Sequence, residues 1–590
     1  MRSLLKWFAG IIGLIIGMII IAIICLMMFI NPNNLKTQLS KKVFDATGRQ
    51  LIIGQISWTV YPWLGIKADH ISLSNPSDFD NPLFAQADQA EIAAKLEPLF
   101  HGHVELGHLI VDGLKINLIK KANGVTNWQD FTDKFNTKTD PSISDTHRAN
   151  LSNKQKLIVS ISEVTFNDAQ LHWENQQSHK TTDINNLQLD ANNLAINQSF
   201  PLSLSFVINN NPYLNTVKMQ TNIHISTNAV ALNQLQAAVD NAQIDGNVMI
   251  TDFSAPAYQF NLHIDTLNLN HHFSSNTSAT TGNHAANSTD EGLLPIALFK
   301  KLNADGELSI DQLSLPKFTI NHFYTKLNAN NGLVQFNPLT GDIYQGQMTN
   351  NITINARNNT PQFNMVSSFT GIQIEPLLTG LADITRIKIS GTGNLNANVS
   401  ASGNSSSDIK RTLSGHCKFS INDGVFYGID IPYYFAVADA LLKKQLPTAT
   451  NTHQTSFGNL TGTANIHNGL VSNNDLLISS PDLSVKGSGT ADLVSEQLNY
   501  AMQMQRMQNG TAQGFEIPLM IKGTFSHPEI RPDVSEILKS QLSKQLEQQL
   551  SQKLQKTIGN NPNAQQIENA IGNSNVGKQL QKGLNSLFGQ

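Results

Sequence analysis

The residue types best suited to chemistry in this chain are histidines. His101, His103, Glu105 and His108 fall within eight positions and form its densest group of possible metal ligands. On a strand, His101, His103 and Glu105 would share one face, as ligands of a divalent cation must converge. Pro98 and Gly102 instead make His101 a turn residue, and Val104 and Leu106 assign the histidines to a solvated face, so no metal site is expected. His271-His272 opens a polar loop. His416 precedes Cys417, a pairing that would suit a thiolate, but Cys417–Ile421 reads as a packed strand. Gly391-Thr392-Gly393 lacks the third glycine of a dinucleotide loop and a following helix, and no G-x-S-x-G elbow occurs. Carboxylates are scattered over expected turns such as Asn422-Asp423-Gly424. No catalytic, cofactor-binding or metal-binding set emerges, and the expectation is a protein that is not an enzyme and needs no cofactor.

The elements around these residues begin with an uncharged run of 24 residues, Trp7–Ile30, led in by Arg2 and Lys6. As a helix it would extend about 36 Å, enough for a bilayer core of about 30 Å. Its exit, Asn31-Pro32-Asn33-Asn34, is no small-x-small cleavage site, so a retained single-pass membrane anchor is expected. Lys36, Lys41 and Lys42 beyond the run nearly balance the basic residues before it, and charge alone leaves the orientation open. Cys25 lies in the run, so the chain's 2 cysteines offer no intramolecular disulfide. Net charge is −4 and charged residues make up 14%. No basic stripe interleaved with aromatics appears, which excludes nucleic acid as an expected partner.

Beyond the run the dominant period is two. Phe260, Leu262 and Ile264 alternate with Asn261, His263 and Asp265, and the same alternation runs through Leu202–Val207, Val217–Ile225, Ile352–Ile354 and Leu395–Val399. One-sided alternation predicts antiparallel sheet with one solvated face. Short helices are expected only near Val230–Val239, Pro295–Leu302 and Tyr433–Leu442. The spacing apolar-x-x-apolar-x-apolar recurs at Leu106-Leu109-Val111, Ile161-Val164-Phe166, Ile184-Leu187-Leu189, Ile264-Leu267-Leu269 and Ile310-Leu313-Leu315. The first two copies continue alike through Leu114/Ile116/Leu118 and Ala169/Leu171/Trp173, offset by 55 residues throughout. Chance recurrence in a β-rich chain is one reading. The other is a repeated strand-kink-strand unit in which an extra residue shifts parity while keeping the apolar side constant. That predicts a mainly β fold, an elongated, curved antiparallel sheet.

Polar stretches at Thr137–Lys156, Ser274–Gly292, Ala401–Asp408 and Pro447–Ser456 read as loop insertions. Val534, Leu538, Leu542, Leu546, Leu550, Leu554 and Ile558 predict an amphipathic C-terminal helix. The expected organisation is an anchor over residues 1–30, β-rich segments over 31–136, 137–400 and 401–532, and a helical tail over 533–590.

The order of several short motifs resembles the AsmA family of bacterial envelope proteins. They include Asn31-Pro32, Gly48-Arg49-Gln50-Leu51, Tyr61-Pro62-Trp63-Leu64 and Leu96-Glu97-Pro98-Leu99-Phe100 near the start. Leu302-Asn303-Ala304-Asp305-Gly306, Tyr344-Gln345-Gly346, Asp423-Gly424-Val425 and Asn468-Gly469-Leu470 follow in the same order. Gln345, where the family often has glycine, and the long insertion at Ser274–Gly292 depart from it. The resemblance implies an inner-membrane protein with its bulk in the periplasm. It also implies kinship with bridge-like lipid transfer proteins, whose strands curl into an apolar groove, a phospholipid ligand, envelope protein partners and a role in outer-membrane biogenesis. Ile264, Leu267, Leu269, Ile310, Leu313 and Leu315 would then line the floor of that groove, with an ordinary closed core as the competing reading. A scaffold for outer-membrane protein or lipopolysaccharide assembly is the alternative.

Overall fold

The computed structural model describes residues 32–59, 63–95, 106–131, 160–209, 211, 214–270, 294–382, 388–442, 446, 448–532, 548 and 552. The expected span Trp7–Ile30, His101, His103, Glu105, His271-His272 and two of the polar insertions lie outside them. So does the C-terminal helix, apart from Gln548 and Gln552, which are helical. Among the described residues no helix is long and apolar enough to cross a membrane.

The described chain divides into two compact units, residues up to 270 with 305–310, and residues 294–304 with 311–532. The first opens with an unanticipated helix α1 (Leu35–Thr47), ended by Gly48 in the left-handed region at φ 73°. Its strands are β1 (Leu51–Ile53), β2 (Ile56–Thr59), β3 (Leu64–Ser74), β4 (Leu83–Ala94), β5 (Leu106–Asp112) and β6 (Lys115–Lys120). β7 (Ser160–Asn175), β8 (Lys180–Ala195), β9 (Ser199–Asn209), β10 (Thr216–Ile225), β11 (Ala229–Val239), β12 (Ala242–Thr251) and β13 (Ala257–Asn268) continue it. β1 and β2 both pair with β3, and from β7 to β13 each strand runs antiparallel to the next.

One pairing departs from the expected antiparallel sheet. β5 and β6 pair with β7 in parallel, with Leu106 opposite Ile161, Val111 opposite Phe166 and Leu118 opposite Trp173. The 55-residue repeat is therefore a register: both copies lie side by side with corresponding apolar residues level. Asn167 reinforces it by donating to Asp112 Oδ1 at 2.8 Å.

The second unit holds α2 (Ile296–Lys301), half of β14 (Ala304–Leu315), β15 (Phe318–Asn330), β16 (Leu333–Ile343), β17 (Gly346–Asn355) and β18 (Gln362–Gln373). Then come α3 (Ile374–Ala382), β19 (Lys388–Ser402), α4 (Ser406–Thr412), β20 (Ser414–Tyr427), α5 (Ile431–Leu442) and β21 (Gln454–His467). β22 (Leu470–Ser480), β23 (Leu483–Asp492), β24 (Gln497–Gln508), β25 (Thr511–Thr524) and β26 (Pro528–Pro532) complete it, and β15 to β26 pair consecutively and antiparallel.

The expected helices at Pro295–Leu302 and Tyr433–Leu442 are α2 and α5. The one at Val230–Val239 is instead strand β11, and Ala401–Asp408, expected to be loop, ends β19 and begins α4. β11 misleads because it carries an extra residue at Gln234, which puts Leu235 three positions after Leu232 and mimics a helical spacing. Asn422-Asp423-Gly424 is likewise no turn between strands but a bulge inside β20.

A continuous apolar sheet face

The sheet's apolar side is built by a recurring four-residue device. Ala68-Asp69-His70-Ile71, Phe166-Asn167-Asp168-Ala169, Ile184-Asn185-Asn186-Leu187, Leu232-Asn233-Gln234-Leu235 and Ile320-Asn321-His322-Phe323 share one conformation. In each the third residue is left-handed, with φ between 49° and 54°. Asn, Asp and His populate that region more readily than bulky residues. The left-handed residue absorbs one position, so apolar residues three apart return to the same side. In β7 the extra residue falls at Asn167-Asp168, and in β8 at Asn185-Asn186. The tetrads of β3 and β7 lie level with each other across the strands between them: Asp69 faces Gln89, Gln89 faces Asp112, and Asp112 faces Asn167. A crease thus crosses the first unit without interrupting its apolar side. The predicted kink exists, although in the 55-residue pair it follows Val111 and Phe166 rather than Leu106 and Ile161.

Residues opposite one another in register share a face. In the first unit Ile264 opposes Ile244, Phe260 opposes Val248, and Val248 opposes Leu232. Leu232 opposes Ile223, Met219 opposes Leu204, and Leu204 opposes Leu189. Leu189 opposes Phe166, which opposes Val111. The chain of contacts therefore runs from β13 to β5 with an apolar residue at each step. Most of these side chains are half-buried, whereas residues between them, such as Lys218, Gln220, Asp245 and Asn247, are exposed. Among the described residues of this unit α1 packs against β1 and Trp128 meets Trp173 of β7 with ring centres 5.3 Å apart, while no helix is packed against β8 to β13. Each half-buried residue forfeits a fraction of the roughly 1.5–3 kcal/mol that full burial of such a side chain gives.

The second unit has the same face. Ala329, Val334 and Ile354 oppose in turn and are buried; Met365 and Val399 continue the side half-buried. Toward β20–β25 the face is closed. Ile431 and Phe435 of α5 join Phe457, Leu460, Ile478, Val485, Met504 and Leu519 in one buried cluster, against which Ile374 of α3 packs. Arg506 holds α5 in place, with Nη1 3.1 Å from Asp439 Oδ2 and its guanidinium 5.6 Å from the Phe435 ring. At the head of α5, burial pushes the Asp430 carboxyl up, but hydrogen bonds from Thr452 Oγ1, Thr452 N and Tyr433 N outweigh it and hold it below the usual range.

Of the six residues expected on the groove floor, Ile310 and Leu313 are buried at 2% and 8% exposure. Ile264, Leu267, Leu269 and Leu315 are half-buried. Asp311 and Gln312, between the two buried residues, are both exposed, as a parity shift requires. Those six are a small part of the face. Five further stretches of it were present in the sequence as apolar-Asx-polar-apolar tetrads, whose left-handed third residue identifies the parity shift.

Among the described residues the candidate chemical residues do not assemble. His108 is buried, with Nε2 3.2 Å from Glu91 Oε1, and among the described residues no group of three His, Cys, Asp or Glu side chains converges as a metal site would. His416 and Cys417 are successive strand residues and so point to opposite faces of β20. Burial pushes the Cys417 thiol up, away from thiolate character. Gly391-Thr392-Gly393 lies inside β19, not before a helix.

Protein AsmA of Escherichia coli (strain K12) is 20% identical over 570 residues, covering 88% of this chain and 92% of that protein. The model of the AsmA family matches residues 1–207 and 195–476, well over half of the 590 residues, and the chain belongs to the AsmA family.

Proposed function

We propose that this protein shields the acyl chains of lipids on the apolar side of its sheets, conveying phospholipid for outer-membrane biogenesis without chemical conversion. The observation that carries the reading is the first unit's apolar face, continuous from β5 to β13, with no helix packed against β8 to β13 among that unit's described residues. An acyl chain of 16 carbons costs on the order of 12 kcal/mol to expose to water, at about 0.8 kcal/mol per CH₂. A long one-sided face offsets that cost along its whole length while polar headgroups stay wet. A contiguous apolar face left half-buried suits an interaction surface more than an ordinary monomer exterior. In this reading Trp7–Ile30 anchors the chain in the inner membrane and the sheets lie in the periplasm, with the anchored end as the place where lipid enters.

A photo-crosslinking residue at Leu267 or Val248, in cells, tests it. Crosslinked phospholipid is expected at both positions. Crosslinks to protein alone would favour the second reading, a scaffold that assembles envelope components by protein contact. That reading draws support from the closed cluster beneath α5.

A further inference from the structure

The apolar face of the second unit carries a buried polar pair. Asn350 of β17 and Ser367 of β18 oppose each other directly, on the side that also carries Met348, Met365 and Phe369. Their outer strand partners on that side are Leu339 and Ala397. Asn350 is 6% exposed and Ser367 is 3% exposed. Among the described residues, nothing hydrogen-bonds Asn350 Oδ1 or Ser367 Oγ. Thr325, buried on the same side, differs: its hydroxyl donates to Pro338 O at 3.0 Å.

Two facing buried oxygens without partners forfeit their hydration and gain nothing in the free protein. We propose that they form a polar station for an acyl chain bearing a hydroxyl group, which deepens the lipid-shielding reading above and rests on it. The chemistry selects the group. Asn350 Oδ1 only accepts, so it needs a donor; Ser367 Oγ–H donates as well as accepts. A ligand hydroxyl satisfies both, donating to Asn350 Oδ1 and accepting from Ser367. An ester carbonyl only accepts and leaves Asn350 unpaired, and an unsubstituted chain leaves both unpaired. The surroundings suit the rest of such a chain, since Met365 and Phe369 are half-buried and methionine repacks readily around a guest.

The test uses the full chain in detergent, with tetradecanoic and 3-hydroxytetradecanoic acid competing against a photoreactive fatty acid. About tenfold tighter binding of the hydroxy acid is expected, equivalent to about 1.4 kcal/mol. The double variant Asn350→Leu/Ser367→Ala is expected to bind the plain acid at least as well and to lose the preference. The same hydroxyacyl chain amide-linked to glucosamine separates a lipid-borne chain from a free acid; its preference is expected to persist there. Equal binding of both acids by the unmodified protein, a preference that survives the double variant, or a preference confined to the free acid would each overturn the station while leaving lipid shielding intact. Failure of both acids to bind would overturn the shielding reading as well.

Discussion

Arg49 offers the sharpest stability test, because Nε and Nη2 have defined partners, although Nη1 is buried with none among the described residues. It follows the Gly48 cap of α1, is 1% exposed, and lies between two rings, with its guanidinium carbon 4.5 Å from the centres of both Phe84 and Phe131. Nε and Nη2 grip Asp130 in a two-pronged pair at 3.0 and 2.6 Å, and Nη2 also donates to Asn127 O at 2.5 Å. Asn127, itself fully buried, donates to Asn75 Oδ1 and Asn117 O and accepts from Ile119 N. One side chain thus ties α1 and β1 to the 127–131 segment and β6. Arg49→Met keeps the length and the packing between the rings but removes the charge. Hydrogen bonds to charged groups are worth about 1.5–3 kcal/mol each and stacked cations about 0.5–2. These terms do not add, and breaking a buried pair typically costs about 3–5 kcal/mol. The Asp130 side chain is 31% exposed and recovers water, which argues for the lower end, about 3 kcal/mol. Amides around Ile119 and Asn127 should then exchange with solvent about a hundred-fold faster, read by hydrogen–deuterium exchange of peptides covering 115–131. Arg49→Lys keeps the charge without the fork and should fall between. Exchange within threefold of the unmodified protein for the Met variant would refute the assignment of this latch.

Other consequences follow from the same geometry. Leu204→Asp on the half-buried face should leave the protein folded by circular dichroism yet abolish lipid crosslinking. Ile310→Asp should unfold its surroundings, since an unpaired buried charge is far more costly; equal tolerance of both would deny the difference between face and core. The Asp430 carboxyl sits below its ordinary value, so its stabilisation of α5 is full above about pH 3.9 and lost as pH falls further. Protease cleavage within α5 that is unchanged between pH 5 and 3 would contradict that. Asn186→Val puts a β-branched residue in the left-handed region and should destabilise β8 by about 1–2 kcal/mol, whereas Asn186→Gly should be nearly neutral by thermal melting.

The sequence alone determined the fold class and the one-sidedness of the strands. Alternation such as Phe260, Leu262 and Ile264 against Asn261, His263 and Asp265 is local, because successive strand residues face opposite ways whatever they pair with. It also held the 55-residue repeat and the odd spacings. Only the tertiary structure decided what those meant. The repeat is a parallel register, and parallel pairing is a long-range choice no local pattern encodes. Gln234 makes β11 a bulged strand rather than a helix, because only neighbours on both sides supply the ladder that outweighs helical spacing. Ile310 and Leu313 are buried while Leu267 is half-buried, although all three share one motif. Burial depends on what packs above a face, as α5 does over Phe457 and Leu460, and on that question the alternation of apolar and polar residues is silent.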